Sequence, residues 1–332
     1  MFIIEEKTAV VGCAGWNNWL LLLLIGFQFI TAQAQAQEQE REPAEVSEQT
    51  QEVSQYQHWL DLMAADQGFA DRSAEIGRTG AFLEFLGQGS TVFRDGPVDA
   101  LDLYGSEIFQ NSANEISWEA HYVDVSRAGD LGLTAGPLNF LADELTGQFG
   151  HLISIWQKQG DRWVLMADIV AGIPGFLSLE VEPNFDDTRP VLEETAHPVM
   201  ATAESNNMQL LIDRDNLFGQ SINFRGGQRA LLRYGLENTR VYLPGMAPAV
   251  GSDAASSIYG AFLDNQLSTT NQISLTYMGG FLSASKEVGY TYGTMETLED
   301  DSKQSFRTSY MRLWRFTASN EWKIAVEVLS PY

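Results

Sequence analysis

Cysteine is almost missing from this 332-residue chain, with Cys13 as its sole example. A single thiol closes no intrachain disulfide and builds no thiolate metal site. Histidine is nearly as scarce. His58, His121, His151 and His197 are the whole supply, so the chain from Met200 onward has neither His nor Cys. A histidine-based triad or a zinc site made of that stretch alone is therefore excluded. Positive charge is also short, with 20 Lys and Arg against 44 Asp and Glu and a net charge of -24. Such a surface repels polyanions, which argues against nucleic acid as a partner. The chain contains no G-x-S-x-G, no H-E-x-x-H, no phosphate loop and no dinucleotide fingerprint. Asn-x-Ser/Thr glycosylation acceptors are absent too.

Hydrophobic residues make up 44% and aromatic residues 11% of the chain, enough for two ordinary domains with cores of their own. The longest apolar run is Trp19–Ile30, WLLLLLIGFQFI. It is short for a membrane span and fits the apolar region of a secretory signal peptide. Ala34-Gln35-Ala36 then supplies a small-x-small cleavage site. Residues 1–36 read as a signal peptide, and the product as secreted or periplasmic with no membrane contact after cleavage. Glu5 and Glu6 outnumber Lys7 where positive charge is the rule, so an uncleaved anchor is the alternative. Residues 37–55, rich in Gln and Glu, read as a disordered linker.

The rest of the chain is written twice. At an offset of 149, Asp66, Phe69, Gly77 and Ala81 meet Asp215, Phe218, Gly226 and Ala230. The phrase GDLGLTAG, Gly129 to Gly136, returns as KEVGYTYG, Lys286 to Gly293. It aligns Gly132, Thr134 and Gly136 with Gly289, Thr291 and Gly293. Trp156 meets Trp314, Trp163 meets Trp322, and Asp168 meets Glu327. The order is kept and the offset drifts slowly, as expected of a tandem repeat with loop insertions.

Each copy has one layout. A long helix, 56–76 or 198–224, breaks at Gly77 or Gly226 and gives way to a short apolar helix. A small helix and a run of β-branched and aromatic strands follow, joined by tight turns. ISWEAHYVDVS reads as the first strand of the first meander. The fold class is α+β: two tandem cone-shaped domains, 56–173 and 193–332, each with N-terminal helices packed on a curved antiparallel sheet. Residues 174–192, with three prolines, form the linker, strapped across the first domain by Phe176 and Leu177.

The sequence resembles the nuclear transport factor 2-like superfamily, and within it the SnoaL-like bacterial domains. The likeness rests on D-x-x-F with the downstream G-x-x-x-A-F/L-L, on GDLGLTAG, and on Trp156 and Trp163 followed by Asp168. It is best over 61–173, while the second copy keeps the frame but reads SASKEVGYTYG in place of SRAGDLGLTAG. The resemblance implies a helix-capped bent sheet with a pocket in its concavity, and domains that pair sheet to sheet. Two copies in one chain would make that pair internally, as a pseudo-dimer. The superfamily mixes isomerases, cyclases, dehydratases, binding modules and structural domains, so it implies no single activity.

Asp168 is the candidate catalytic residue. It closes the apolar strand WVLMAD, opposite in parity to Trp163, Leu165 and Ala167, where burial raises a carboxylate toward general-base duty. Glu327 is its counterpart, with Lys323 as a cation within reach. Asp66 and Asp215 recur beside Phe69 and Phe218, as loop hydrogen-bonding groups or as catalytic ones. Candidates to line a ligand pocket are Trp118, His121, Tyr122, Trp156, Tyr277, Tyr292, Trp314 and Glu327. His121 and His151 lie on separate strands and read as buried, hydrogen-bonded histidines rather than metal ligands. No cofactor and no metal is expected.

The leading reading is a non-catalytic exported protein that binds a small apolar or aromatic molecule. One alternative is an isomerase, cyclase or dehydratase with Asp168 as base and Tyr122 or His121 orienting the substrate. The other is an interaction or structural module, whose cavities would be plugged by its own side chains.

Overall fold

The computed structural model describes residues 54–106, 115–143, 146–175, 181–188, 206–266, 272–297 and 306–332. The expected signal peptide, and the linker as far as residue 53, lie outside them. From Ser54 on, the chain forms one compact unit.

Helix α1 spans 54–76. At Gly77 the backbone turns to φ 84°, which glycine alone adopts without strain, and α2 follows over Arg78–Phe85. Strands β1, Leu86–Phe93, and β2, Pro97–Asp99, lead to a short α3, Ala100–Tyr104, capped by the Asp99 side chain. The meander is β3 (Glu115–Trp118), β4 (Tyr122–Val125), β5 (Leu131–Asp143), β6 (Thr146–Gln159) and β7 (Arg162–Ile173). A short 3-10 helix, Phe185–Thr188, lies in the expected linker. The second half begins with α4, Met208–Arg225, and α5, Gly227–Tyr234, with Gly226 at φ 80° between them. It continues through β8 (Gly235–Tyr242), β9 (Ala249–Val250), α6 (Ser252–Gln266), β10 (Ile273–Leu282), β11 (Val288–Thr297), β12 (Arg307–Phe316) and β13 (Trp322–Pro331).

The fold class is α+β with two sheet units. Three details differ from expectation. The meanders are antiparallel, but β1 joins β7, and β8 joins β13, in parallel, so both sheets are mixed. Each of those strands arrives from the helical segment and not from a hairpin, so it runs the other way. The single strand expected over ISWEAHYVDVS is two, β3 and β4. The break falls at Glu119, whose carbonyl oxygen fills the space beside Gly136, 1.8 Å from where a Cβ would stand. Gly293 lies equally close to the Thr276 carbonyl, at 1.9 Å, so this glycine of the repeated phrase permits a close strand approach in both halves. Finally, α4 begins at Met208 instead of 198. The Asn207 side chain accepts from the Leu210 N–H and caps it there.

Each sheet buries two faces. The helix-side face of the first sheet packs Trp156, Leu152 and Leu165 under Trp59, Leu62, Phe69 and Phe82. The second sheet packs Trp314, Tyr310 and Ile324 under Leu211, Phe218 and Tyr259. The opposite faces meet each other in one core, with Leu133, Ile153, Ile155 and Ile169 against Tyr290, Met311, Leu313 and Val328. At about 25 cal/mol per Å2, the apolar area hidden there is a main source of cohesion between the halves.

Polar contacts fix the register of that seam. The Glu287 carboxylate accepts from the Arg127 N–H at 2.6 Å, and Asp130 accepts from the Ala284 N–H at 2.7 Å. Each repeated hairpin thus caps the turn of the other. Arg315 donates to both oxygens of buried Asp124, which also accepts from the Tyr122 hydroxyl. The strap expected through Phe176 and Leu177 falls outside the described residues. Phe185 packs against Tyr56 and Trp59, while Asp187 pairs with Arg240 at 2.6 Å.

Candidate functional site

The helix-side face of each sheet repeats one hydrogen bond. Trp156 Nε1 donates to Thr134 Oγ1 at 2.9 Å, and Trp314 Nε1 donates to Thr291 Oγ1 at 2.9 Å. Both tryptophans are fully buried. Above them sits an aspartate of the long helix, Asp66 on α1 or Asp215 on α4. The Thr134 hydroxyl donates to Asp66 Oδ1 at 2.6 Å, and Trp118 Nε1 donates to Asp66 Oδ2 at a long 3.3 Å. The recurrent aspartate is thus a hydrogen-bond acceptor for the sheet.

Asp168 also faces this side, by a route its parity does not suggest. Leu165 pairs with Trp156 and Ala167 with Ile155, so Met166 is an extra residue and the strand bulges. The bulge puts Asp168 on the face of Trp163 and Leu165, and turns Ala167 to the inter-sheet core. A register shift at Leu313/Trp314 does the same on β13, where Ile324 and Val326 part company and Glu327 turns to the helices.

The partner across the sheet then differs. Asp168 faces Ser154, and Glu327 faces Arg312. Arg312 donates to Glu327 through Nε at 2.5 Å and through a terminal nitrogen at 3.1 Å, and to Asp215 at 2.6 Å. Tyr310 donates to Asp215 at 2.7 Å and Tyr259 to Glu327 at 3.2 Å. The guanidinium also lies against the rings of Tyr310 and Phe218, at 4.0 and 4.7 Å. All three charged side chains have zero exposure. The two carboxylates hold Arg312 firmly protonated, while burial, with Asp215 alongside, pushes Glu327 up to about 7. Lys323, the expected partner of Glu327, instead pairs with Glu321 and donates to the Arg233 carbonyl.

In the first half no cation takes that position. Asp168 Oδ1 and Ser154 Oγ are buried without hydrogen-bond partners. Burial raises Asp168 to about 6 against the nearby charges of Arg94 and Arg78. Asp66 also rises to about 6 by burial, opposed by its bonds from Thr134 and Trp118 and reinforced by Asp168. Asp66, Trp118, Thr134 and Ser154 line a crevice of about 130 Å3, nowhere wide enough to centre a water molecule.

The other candidates disperse. Trp118 lines this crevice and Trp156 bonds its Thr134, while Trp314 and Glu327 belong to the filled counterpart. Tyr122 and Tyr292 face the inter-sheet core instead, where Tyr292 accepts from Thr91 at 3.1 Å. Tyr122 is therefore turned away from Asp168. Tyr277 is half-buried on the edge strand β10. His121 bonds surface Glu119 at 2.8 Å, and His151 is buried against Tyr242, its pKa pushed down to about 4 by burial and by His121. Among the described residues, no three His, Cys, Asp or Glu side chains are grouped to hold a metal. Sequence reading missed Ser154 and Arg312. The signal was a lone arginine inside the apolar run YMRLW, at the position of Ser154 in LISIW.

No protein-family model matches the chain, and no curated protein matches it in sequence. Solved structures similar to part of it include a ketosteroid isomerase-like protein from Erwinia carotovora atroseptica. That protein is 14% identical, with a TM-score of 0.31 over 38% of this chain and 97% of its own. A nuclear transport factor 2-like protein of unknown function from Pseudomonas putida is 11% identical, TM-score 0.31, over 37% and 84%. Another from Shewanella oneidensis is 13% identical, TM-score 0.30, over 36% and 95%. Values this low carry nothing about the activity of this chain.

Proposed function

We propose that the protein is a non-catalytic, exported binder of a small aromatic molecule carrying a cationic or strongly donating group. The first half supplies the site and the second serves as its structural partner, the two being tandem copies of one unit paired as an intrachain pseudo-dimer. One observation carries the reading: Arg312 occupies in the second half the place left beside Ser154 and two buried acids in the first. A planar cation is thus the chemistry that the twin site already accommodates. Entry requires Trp118 to swing aside, and its long bond to Asp66 is the weakest in the cluster. Export rests on the apolar run Trp19–Ile30 and the small-x-small site after it. No helix among the described residues is long and apolar enough to cross a membrane.

Calorimetric titration with benzamidine and its neutral relative benzamide tests this. Benzamidine should bind the full chain at least tenfold more tightly than benzamide, and Asp168→Asn should remove that preference. Equal binding of the two, or no binding of either, defeats the reading. The proton-transfer alternative keeps one point in favour, the unpartnered Oδ1 of a buried, raised Asp168. It calls for Asp168-dependent deuterium uptake beside the carbonyl of a bound cyclic ketone in D2O.

A further inference from the structure

The seam between the halves has two corresponding ends, and they differ. At one, Leu243-Pro244-Gly245 reaches the first half, where the Gly245 N–H donates to the Gly172 carbonyl at 2.7 Å and closes the gap. By the repeat offsets the other end is Arg94-Asp95-Gly96 facing Pro331. There a cleft of about 250 Å3 opens, lined by Phe93, Arg94, Asp95, Ser309, Ser330 and Tyr332 among others.

Three features of this cleft point to a ligand. Arg94 is tethered through one terminal nitrogen to the Phe93 carbonyl at 3.0 Å, and makes no ion pair among the described residues. Ser309 is 1% exposed, and its hydroxyl has no hydrogen-bond partner. Phe93, Pro331 and Tyr332 add apolar wall. A guanidinium that makes no direct ion pair among the described residues, its charge felt at a distance by buried Asp168, next to a buried hydroxyl in an open cavity, is chemistry left unused by the fold.

We propose that this seam cleft binds a small organic monocarboxylate, with Arg94 taking the carboxylate, Ser309 donating a hydrogen bond, and the aromatic walls holding the carbon body. Asp95 selects against dianions. It is an exposed carboxylate on the lining, and a second negative charge there would have no cation to meet it. The net charge of -24 opposes non-specific anion uptake, so a bound anion reports a built site. This site shares no lining residue with the crevice at Asp66, where a carboxylate ligand would meet a buried acid.

The test is an NMR titration of the full chain with sodium benzoate, followed at backbone amides, with benzamide as the neutral control. The expected result is a saturable shift centred on Gly96, Ser309 and Ser330, and benzamide at least tenfold weaker. Arg94→Gln should weaken benzoate at least tenfold, and Ser309→Ala about threefold. No binding at millimolar benzoate, equal binding of benzamide, an unaffected Arg94→Gln, or shifts centred on Asp66 and Trp118 would each overturn the proposal. Should Arg94→Gln fail to fold, the shift map and the benzamide comparison decide it on the native chain.

Discussion

Arg312 in the second half stands where Ser154 stands in the first, and this single difference sorts the two halves. In the second, two buried acids share one guanidinium, and its three side-chain bonds, two tyrosine hydroxyls and two ring faces complete the cluster. A buried ion cluster is tolerable when it is satisfied in this way. The first half keeps the same tryptophan–threonine bond and the same helix aspartate but has no cation between its acids. Both of those acids are pushed up to about 6. The second half closes its cluster, whereas the first half leaves two raised acids incompletely satisfied, and the proposed binding site rests on that difference.

The comparison breaks hardest at Arg312. Arg312→Ser gives the second half the partner that the first half has, and leaves Asp215 and Glu327 buried together. The expected loss is about 3–5 kcal/mol at pH 7, read from urea unfolding. A loss under about 1 kcal/mol would mean that the triad contributes little to the fold.

The opposite sign is expected in the first half. Burial pushes the folded pKa of Asp168 to about 6 from the ordinary 3.8, so the folded state keeps a proton that the unfolded chain releases. Its presence therefore costs stability progressively as the pH rises from about 4 to about 6, by about 3 kcal/mol at most above that window. Asp168→Asn cannot ionise. It should melt higher than the parent above pH 6 and alongside it near pH 4. A variant that is less stable at pH 8 would show that Asp168 has a partner of its own.

Much of this is legible in the sequence alone. The tryptophan–threonine bond is made in both halves, and a helix aspartate lies over each, though Asp66 accepts from Thr134 and Trp118 and Asp215 from Tyr310 and Arg312. What stayed hidden depends on distance or on single inserted residues. The Arg312–Asp215 bond joins residues 97 apart, which no local pattern encodes. Met166 reverses the parity of everything after it on β7, so a strict period of two misplaced Asp168 relative to Trp163 and Leu165. Tyr122 and Tyr292 were credible pocket residues by type. Strand face decided against them, and both closed on the other sheet. The parallel entry of β1 beside β7 was equally silent, since neither strand carries a mark of its partner.

The smallest effect is expected on the outer surface of the two long helices. Leu210, Leu217 and Phe224 recur every seventh residue along α4 and are exposed, Phe224 at 84%. At the offset of 149 the first half has Asp61, Gly68 and Glu75. The halves therefore differ as much outside as inside, but an exposed side chain has little to lose. Phe224→Glu installs the first-half residue where the buried face of α4, Leu211, Asp215, Phe218 and Ile222, is untouched. Surface changes of this kind usually stay within about 0.5 kcal/mol. The same urea measurement should thus find no resolvable change, against several kcal/mol for Arg312→Ser on the next helix-facing strand. A loss above about 1 kcal/mol would show that Phe224 is packed by something in the intact chain, and that the outer face of the second half, like its interior, has a closed role.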